Sequence, residues 1–391
     1  MKKIAENVFY IGVQDDNLDL FESQYPVMHG ISYNSYAITG PENAVIDAVD
    51  VRRINDWFIY LDELFNSEGG SPDYLIIQHV EPDHSGSVAE FMNRYPSARL
   101  ICTSKAADML KEYFRHVDFE NRVVIVGDGD KVKVGERELV FMTAPMVHWP
   151  EVMVTYDAVS GILFAADAFG TFAQWNSLVP WDEEGRRYYA NIVGRFGVSV
   201  QGLLRKASAL KISAIAPLHG PLLNSDLGHY VSLYDRWSRY EPESDGVLVV
   251  YGSVYGGTAD ACRQLVSMLE KRGVKDIVLM DVARHDVSYI VAEAFRLRNI
   301  VVASVTLDGG IFPAIEDFIH HITRKNLANR RIALIDNGTW APVAARLMKD
   351  YFSKMKNMEI IEPTLSIKSR LHPDDNLVLN EIADKLTIRN S

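Results

Sequence analysis

Hydrophobic runs in the first third of the chain are short. Residues 8–10, 35–38 and 44–48 are β-branched or aromatic stretches separated by Gly, Pro and Asn, which predicts a meander of strands rather than strand–helix–strand units. Between residues 54 and 65 the period changes, and Trp57, Phe58, Leu61, Leu64 and Phe65 share one helical face. The apolar run Tyr74, Leu75, Ile76 and Ile77 then predicts a buried strand, and Ser85 or Ser87 can cap a helix running to about Met92. Strands at 99–102 and 122–126 flank a predicted helix near 106–114, and Asp128, Gly129 and Asp130 mark a turn. Residues 139–143 and 162–166 are further strands, a long helical stretch covers roughly 188–211, and 214–216 is a last short strand.

A polar, Pro- and Gly-containing run over 239–246 has the texture of a connection between domains. We place the boundary there, with domains at 1–245 and 246–391. Beyond it the pattern is plainly α/β. Strands at 247–251, 276–280, 300–303 and 331–335 alternate with helices at 259–271, 289–298, 314–323 and 342–352, with Gly273 as a stop signal. This is the signature of a doubly wound parallel sheet.

A chain of 391 residues is long enough for two separate cores. Its 48% apolar and 24% charged residues are those of a soluble globular protein, and the net charge of -12 argues against nucleic acid as a partner. No apolar run reaches the roughly 18 to 20 residues that span a bilayer. Met1, Lys2 and Lys3 lead into Ile4, Ala5, Glu6 and Asn7 rather than into the apolar core of a signal peptide, so no membrane partner and a cytoplasmic location are expected. The two cysteines, Cys102 and Cys262, are far apart and form no C-x-x-C pair. They exclude a disulfide framework and a cysteine-ligated iron–sulfur or rubredoxin module within the chain.

Chemistry concentrates where strands end. The predicted strand ending at Ile77 delivers His79, Glu81, Asp83 and His84 into one loop. Later junctions carry His148 between Pro145 and Pro150, Asp167 just past 162–166, and His219 between Pro217 and Pro221. A single histidine at such a junction is ordinarily a hydrogen-bonded loop residue. Seven donors recurring at strand ends point instead to a metal site. The pattern H-x-E-x-D-H differs from the zinc-hydrolase pattern H-x-H-x-D-H by one ligand. Glu81 makes the donor set harder and more anionic, which favours iron or manganese over zinc. His116, His229, His285, His320, His321 and His372 are read as solvated or packing residues, and His29 is left open.

The second domain offers a different site. Ser253, Val254, Tyr255, Gly256, Gly257 and Thr258 form a glycine-rich strand-to-helix turn whose free N–H groups suit one terminal phosphate, as on FMN. No lysine ends the loop and the spacing is not G-x-G-x-x-G, so neither a Walker loop nor a dinucleotide fingerprint is present. A purely structural glycine turn would use the same residues. Ser304, Thr306, Leu307, Asp308, Gly309 and Gly310 follow the third strand, and Asn337, Gly338, Thr339 and Trp340 follow the fourth. Small polar groups there can bond a flavin ring, and Trp340 or Tyr255 can stack on it, although Trp340 also suits packing.

With these residues in place the chain resembles the flavodiiron proteins, also called A-type flavoproteins. The resemblance covers essentially the whole chain, and the H-x-E-x-D-H motif followed by His148, Asp167 and His219 carries it most specifically. It implies a metallo-β-lactamase-like αββα sandwich followed by a flavodoxin-like domain, with two non-haem irons and FMN as cofactors. It further implies an oxygen or nitric oxide reductase in which His79, Glu81 and His148 hold one iron, Asp83, His84 and His219 hold the other, and Asp167 bridges. An external electron donor, a rubredoxin-like protein or a reduced deazaflavin, and a head-to-tail homodimer or dimer of dimers are implied as well. Asn337 to Trp340 and Ser304 to Thr306 depart from the family's usual flavin loops, while residues 29–36 resemble its early segment, which implies that His29 or Tyr33 approaches the substrate pocket, a structural role being the better reading for Tyr33. Two rival readings stand beside this one: a dinuclear zinc hydrolase fused to a flavodoxin module, and an electron carrier whose metal domain serves for docking.

Overall fold

The amino-terminal meander forms one side of a seven-stranded sheet. In the computed structural model, which describes residues 1–117 and 120–388, this sheet runs in chain order: Lys2–Ala5 (β1), Val8–Tyr10 (β2), Tyr36–Ile38 (β3), Ala44–Ile46 (β4), Tyr74–Ile76 (β5), Arg99–Cys102 (β6) and Val123–Ile125 (β7). The pairs from β1 to β4 are antiparallel; short turns join β1 to β2 and β3 to β4, and residues 11–35 join β2 to β3. From β4 onward they are parallel, because helices such as Ile54–Glu68 carry the chain back between strands. That helix buries Trp57, Leu61, Leu64 and Phe65, the stripe its periodicity marks.

A second sheet contains Lys131–Val134 (β8), Arg137–Thr143 (β9), Met153–Asp157 (β10), Ile162–Phe164 (β11) and Ala214–Ala216 (β12), antiparallel until the final parallel pair. One apolar core joins the sheets, with Val8, Tyr36, Ile46 and Ile76 meeting Phe141, Met153 and Phe164. The architecture is the αββα sandwich of the metallo-β-lactamases. Strand β10 goes unmarked in the hydropathy pattern because Thr155 and Asp157 interrupt it, yet both are buried.

The helix expected over 188–211 is not continuous. Trp181–Tyr188 is α-helical, Tyr189–Val193 widens to a π turn, Gly194–Phe196 tightens to a 3-10 turn, and Gly197–Ala207 resumes the α-helix. Gly194 and Gly197 weaken helical preference, and a Cβ at Gly197 would collide with the Ser238 carbonyl oxygen, so backbone approach takes precedence there.

By contacts the chain divides into two units, Met1–Tyr189 with Val198–Asp235, and Ala190–Gly197 with Arg236–Ser391. The second unit contains Ser244–Gly252 (β13), Ile277–Asp281 (β14), Leu297–Leu307 (β15), Arg330–Asn337 (β16) and Met358–Ile367 (β17). Their order is β14-β13-β15-β16-β17, all parallel. This is the flavodoxin-like doubly wound order, which opens a crevice where strand order reverses between β13 and β15. The helix expected to start at 342 starts at Ala344, and the one expected to reach 298 ends at Arg296, where β15 begins at once. No helix among the described residues is long and apolar enough to cross a membrane.

Candidate metal centre

Strand ends place every donor. Strand β5 feeds the loop that carries His79 and Glu81, and Pro82 then opens a one-turn helix, Pro82–Ser85, that sets Asp83 and His84. His148 follows β9, Asp167 follows β11 and His219 follows β12. Backbone outside the usual regions surrounds them: Asp47, Met146 and Ala166 all have positive φ. Such conformations persist only where surrounding structure fixes them.

All seven residues converge, in two groups. His79, Glu81, His148 and Asp167 form one, and Asp83, His84 and His219 the other. In the first, Nε2 of His79 lies 3.2 Å from Glu81 Oε2 and Nε2 of His148 lies 3.1 Å from the same oxygen. In the second, Nε2 of His84 and of His219 each lie 3.3 Å from Asp83 Oδ2. Asp167 serves both. Its Oδ2 is 3.0 Å from His148 and 3.4 Å from His79, and its Oδ1 is 3.3 Å from His84 and 3.7 Å from His219. Donors held roughly 2.0–2.2 Å from one cation stand roughly 3.0–3.5 Å from each other in octahedral or tetrahedral sets, so the spacings fit two neighbouring cations sharing Asp167.

The surroundings support that fit. His79, His84 and His219 are fully buried, and both Asp83 oxygens and Asp167 Oδ1 have no hydrogen-bond partner among the described residues. Buried carboxylate oxygens without partners are costly unless a cation faces them. In the metal-free protein, burial alone would push the His84 imidazolium down, but Asp83 and Asp167 more than reverse this and hold it up at about 9. His148 is likewise held at about 9, burial being outweighed by its bonds to Asp167 and Glu81. Asp167 lies well below the usual carboxylate range despite burial, because His84 and His148 face it. Protons thus occupy the places that cations would take.

Residues not marked in the sequence complete the site. Glu151 Oε1 accepts from His79 Nδ1 at 2.7 Å, and the Ser32 carbonyl accepts from His219 Nδ1 at 2.8 Å. Each fixes a tautomer that turns Nε2 toward the donor cluster. The fully buried Asp47 accepts from Gln78 N at 2.8 Å and Gln78 Nε2 at 2.9 Å, pinning the chain just before His79. Its carboxyl is pushed up to about 6 by burial. Asp47, directly past β4, carried the one available signal, an acid at a strand end; Glu151, in the connection between β9 and β10, carried none. A cavity of about 390 Å³ opens beside Glu81 and Asp83, lined also by Phe21, Tyr33 and Arg52. Tyr33 is buried with its ring 6.0 Å from that of His219, and its hydroxyl accepts from Arg52 at 2.9 Å. His29 is exposed.

In the second unit, the loops expected to hold a flavin gather at the ends of the adjacent strands β13, β15 and β16. Gly256 has φ 89° at the start of helix Gly257–Lys271, and a Cβ at Gly257 would collide with the Ser369 carbonyl oxygen. Many of the small polar groups bond one another. Ser253 Oγ accepts from Gly256 N at 3.1 Å, Thr306 Oγ1 accepts from Val343 N, at the start of helix Ala344–Ser353, at 3.0 Å, and Asn337 Nδ2 reaches Thr258 Oγ1 at 3.2 Å. Ser304 accepts from Phe312 N, and β15 runs on to Leu307, where Asp308 and Gly309 turn it back through Gly310. Gly338 packs against Pro342, and Thr339 bonds Ser369. Val254, Tyr255 and Trp340 stand out to solvent, with Tyr255 99% and Trp340 90% exposed, so neither ring has a packing role within its unit. Two exposed aromatic rings on loops at the carboxyl ends of β13 and β16 fit a planar ligand.

Comparison with known proteins gives a consistent picture. The family model described as ODP family beta lactamase matches residues 31–220. Anaerobic nitric oxide reductase flavorubredoxins from Escherichia coli O1:K1 / APEC and from Pectobacterium carotovorum are each 28% identical, over 387 and 389 residues. The matches cover 95% of this chain and 78% and 74% of theirs. Among solved structures, the flavodiiron protein from Giardia intestinalis superposes with a TM-score of 0.91 at 24% identity, over 98% of this chain and 95% of that one. The rubredoxin oxygen:oxidoreductase from Desulfovibrio gigas also reaches 0.91, at 21% identity over 98% and 97%.

Proposed function

We infer that this chain, a member of the flavodiiron family, is an oxidoreductase that reduces dioxygen to water, nitric oxide to nitrous oxide, or both, with electrons passed through FMN from a separate donor. The observation that carries this reading is the pair of buried donor groups joined by the two oxygens of Asp167. When bound, a pair of irons supplies redox and Lewis-acid chemistry there, and FMN supplies the electrons.

The chain's own residues do the rest. His79, Glu81 and His148 would hold one metal and Asp83, His84 and His219 the other, with Asp167 turning one oxygen toward each group. Glu151 and the Ser32 carbonyl keep two imidazoles turned inward. Phe21, with its ring 5.2 Å from that of His219, and the buried Tyr33 limit water on the open side while leaving a cavity large enough for a diatomic gas. Glu81 weighs against the zinc-hydrolase alternative, since it replaces an imidazole by a carboxylate at a position both rings of its group approach.

The donor is a rubredoxin-like protein or a reduced deazaflavin; a relative titled rubredoxin oxygen:oxidoreductase supports the former, and Cys102 and Cys262, both buried and apart, offer no cysteine-ligated centre of their own. A head-to-tail homodimer or dimer of dimers in the cytoplasm completes the proposal. Metal and flavin analysis of protein purified without added metal tests it. Two irons and one FMN per chain are expected from the residues above; stoichiometric zinc with thioesterase or lactamase activity would reverse the assignment.

A further inference from the structure

We propose that Glu151 makes the two metal positions unequal, acting as the positioning residue that renders the His79, Glu81 and His148 side the tighter and first-filled one. This rests on the two-metal reading above. Within their immediate donors the positions are matched, each having two imidazoles, one terminal carboxylate and one oxygen of Asp167. A clear inequality lies behind them. His79 Nδ1 donates to a carboxylate, Glu151 Oε1, at 2.7 Å, and neither side chain is exposed. His219 Nδ1 donates to the neutral Ser32 carbonyl at 2.8 Å, and His84 Nδ1 has no partner among the described residues.

The charge on Glu151 is poorly dispersed. Oε1 also accepts from Val80 N at 3.0 Å, while Oε2 is buried and has no partner among the described residues. The other buried carboxylate behind the cluster, Asp47, bonds Gln78 and the chain at His79 rather than any ring. A carboxylate behind an imidazole raises the basicity of its opposite nitrogen and locks its orientation, and such partners change metal affinity by roughly 10–100-fold. A neutral carbonyl does less, and an unpartnered nitrogen least. The competing explanation is that Glu151 only tethers the backbone at Val80. Glu151→Gln separates the two, because glutamine keeps an oxygen for both N–H groups while the charge goes and an amide nitrogen takes the place of the unpartnered Oε2.

Two measurements on full-length, metal-free protein use cobalt alone as the probe. With one equivalent of Co²⁺, anomalous diffraction should place the metal on the His79 and His148 side in the unsubstituted protein. With both positions filled, release to a chelator should be biphasic, and Glu151→Gln should speed the slow phase about 10–100-fold while the fast phase stays unchanged. Cobalt entering first beside His84 and His219, equal occupancy of both positions, or an unchanged slow phase in Glu151→Gln would overturn the proposal. Should Glu151→Gln not fold, the diffraction result decides by itself. Absence of cobalt from both groups would overturn the two-metal reading as well, an outcome distinct from the others.

Discussion

Nε2 of His84 lies 3.0 Å from Nε2 of His219. Because His219 donates its Nδ1 proton to the Ser32 carbonyl, its neutral ring turns a bare lone pair toward His84. A proton or a cation must sit between two such nitrogens, and Asp83 Oδ2, 3.3 Å from each, adds a third donor to the same point.

Asp167→Asn should be the most damaging single conservative change. It leaves size and packing nearly intact but weakens the side chain that approaches His148 and His84 with different oxygens. Iron content should fall, and gas reduction should drop about 100-fold or more, because the link to both metals is lost. Iron analysis alongside turnover of the purified variant checks both.

The metal-free protein should lose stability as pH rises. His84 and His148 have folded values near 9 against an ordinary 6.5, so the stability they contribute is fully present below about 6.5 and lost on passing 9. Glu81 and Asp167, depressed in the folded state, act in the opposite sense and lose their contribution in acid. Thermal melting of apoprotein should therefore peak between about pH 5 and 6.5 and fall toward pH 9. Metal-loaded protein should keep its melting temperature there, since cations replace the protons.

Gly257→Ala tests the flavin loop. The added Cβ would press on the Ser369 carbonyl and move the start of helix Gly257–Lys271. FMN retention through gel filtration should fall at least about tenfold with iron content unchanged, because the metal ligands belong to the other unit.

The sequence displayed the parts of this protein whose signal is local. The seven donors stand out because four fall within one short motif and three more follow strands that period-two patterning reveals. The α/β rhythm after residue 246 was legible for the same reason. What escaped was set by contacts distant in sequence. Glu151 acquires meaning only because β10 pairs beside β9 and returns it to His79. Likewise, the interruption at Gly194 and Gly197 depends on the Ser238 backbone passing close by. The small polar residues of the flavin loops satisfy the expected composition, yet Ser253 bonds its own loop while Thr306 and Asn337 tie neighbouring loops together, leaving Tyr255 and Trp340 as bare surface.

The central claim is that electrons entering at a flavin leave through a two-metal site to a diatomic gas. Protein of known iron and FMN content, reduced anaerobically and then mixed with dioxygen or nitric oxide, tests it directly. Rapid reoxidation by at least one gas, with water or nitrous oxide as product and loss of the reaction on iron removal, is the expected result; reduced protein that consumes neither gas, or that reacts equally well without iron, would contradict it.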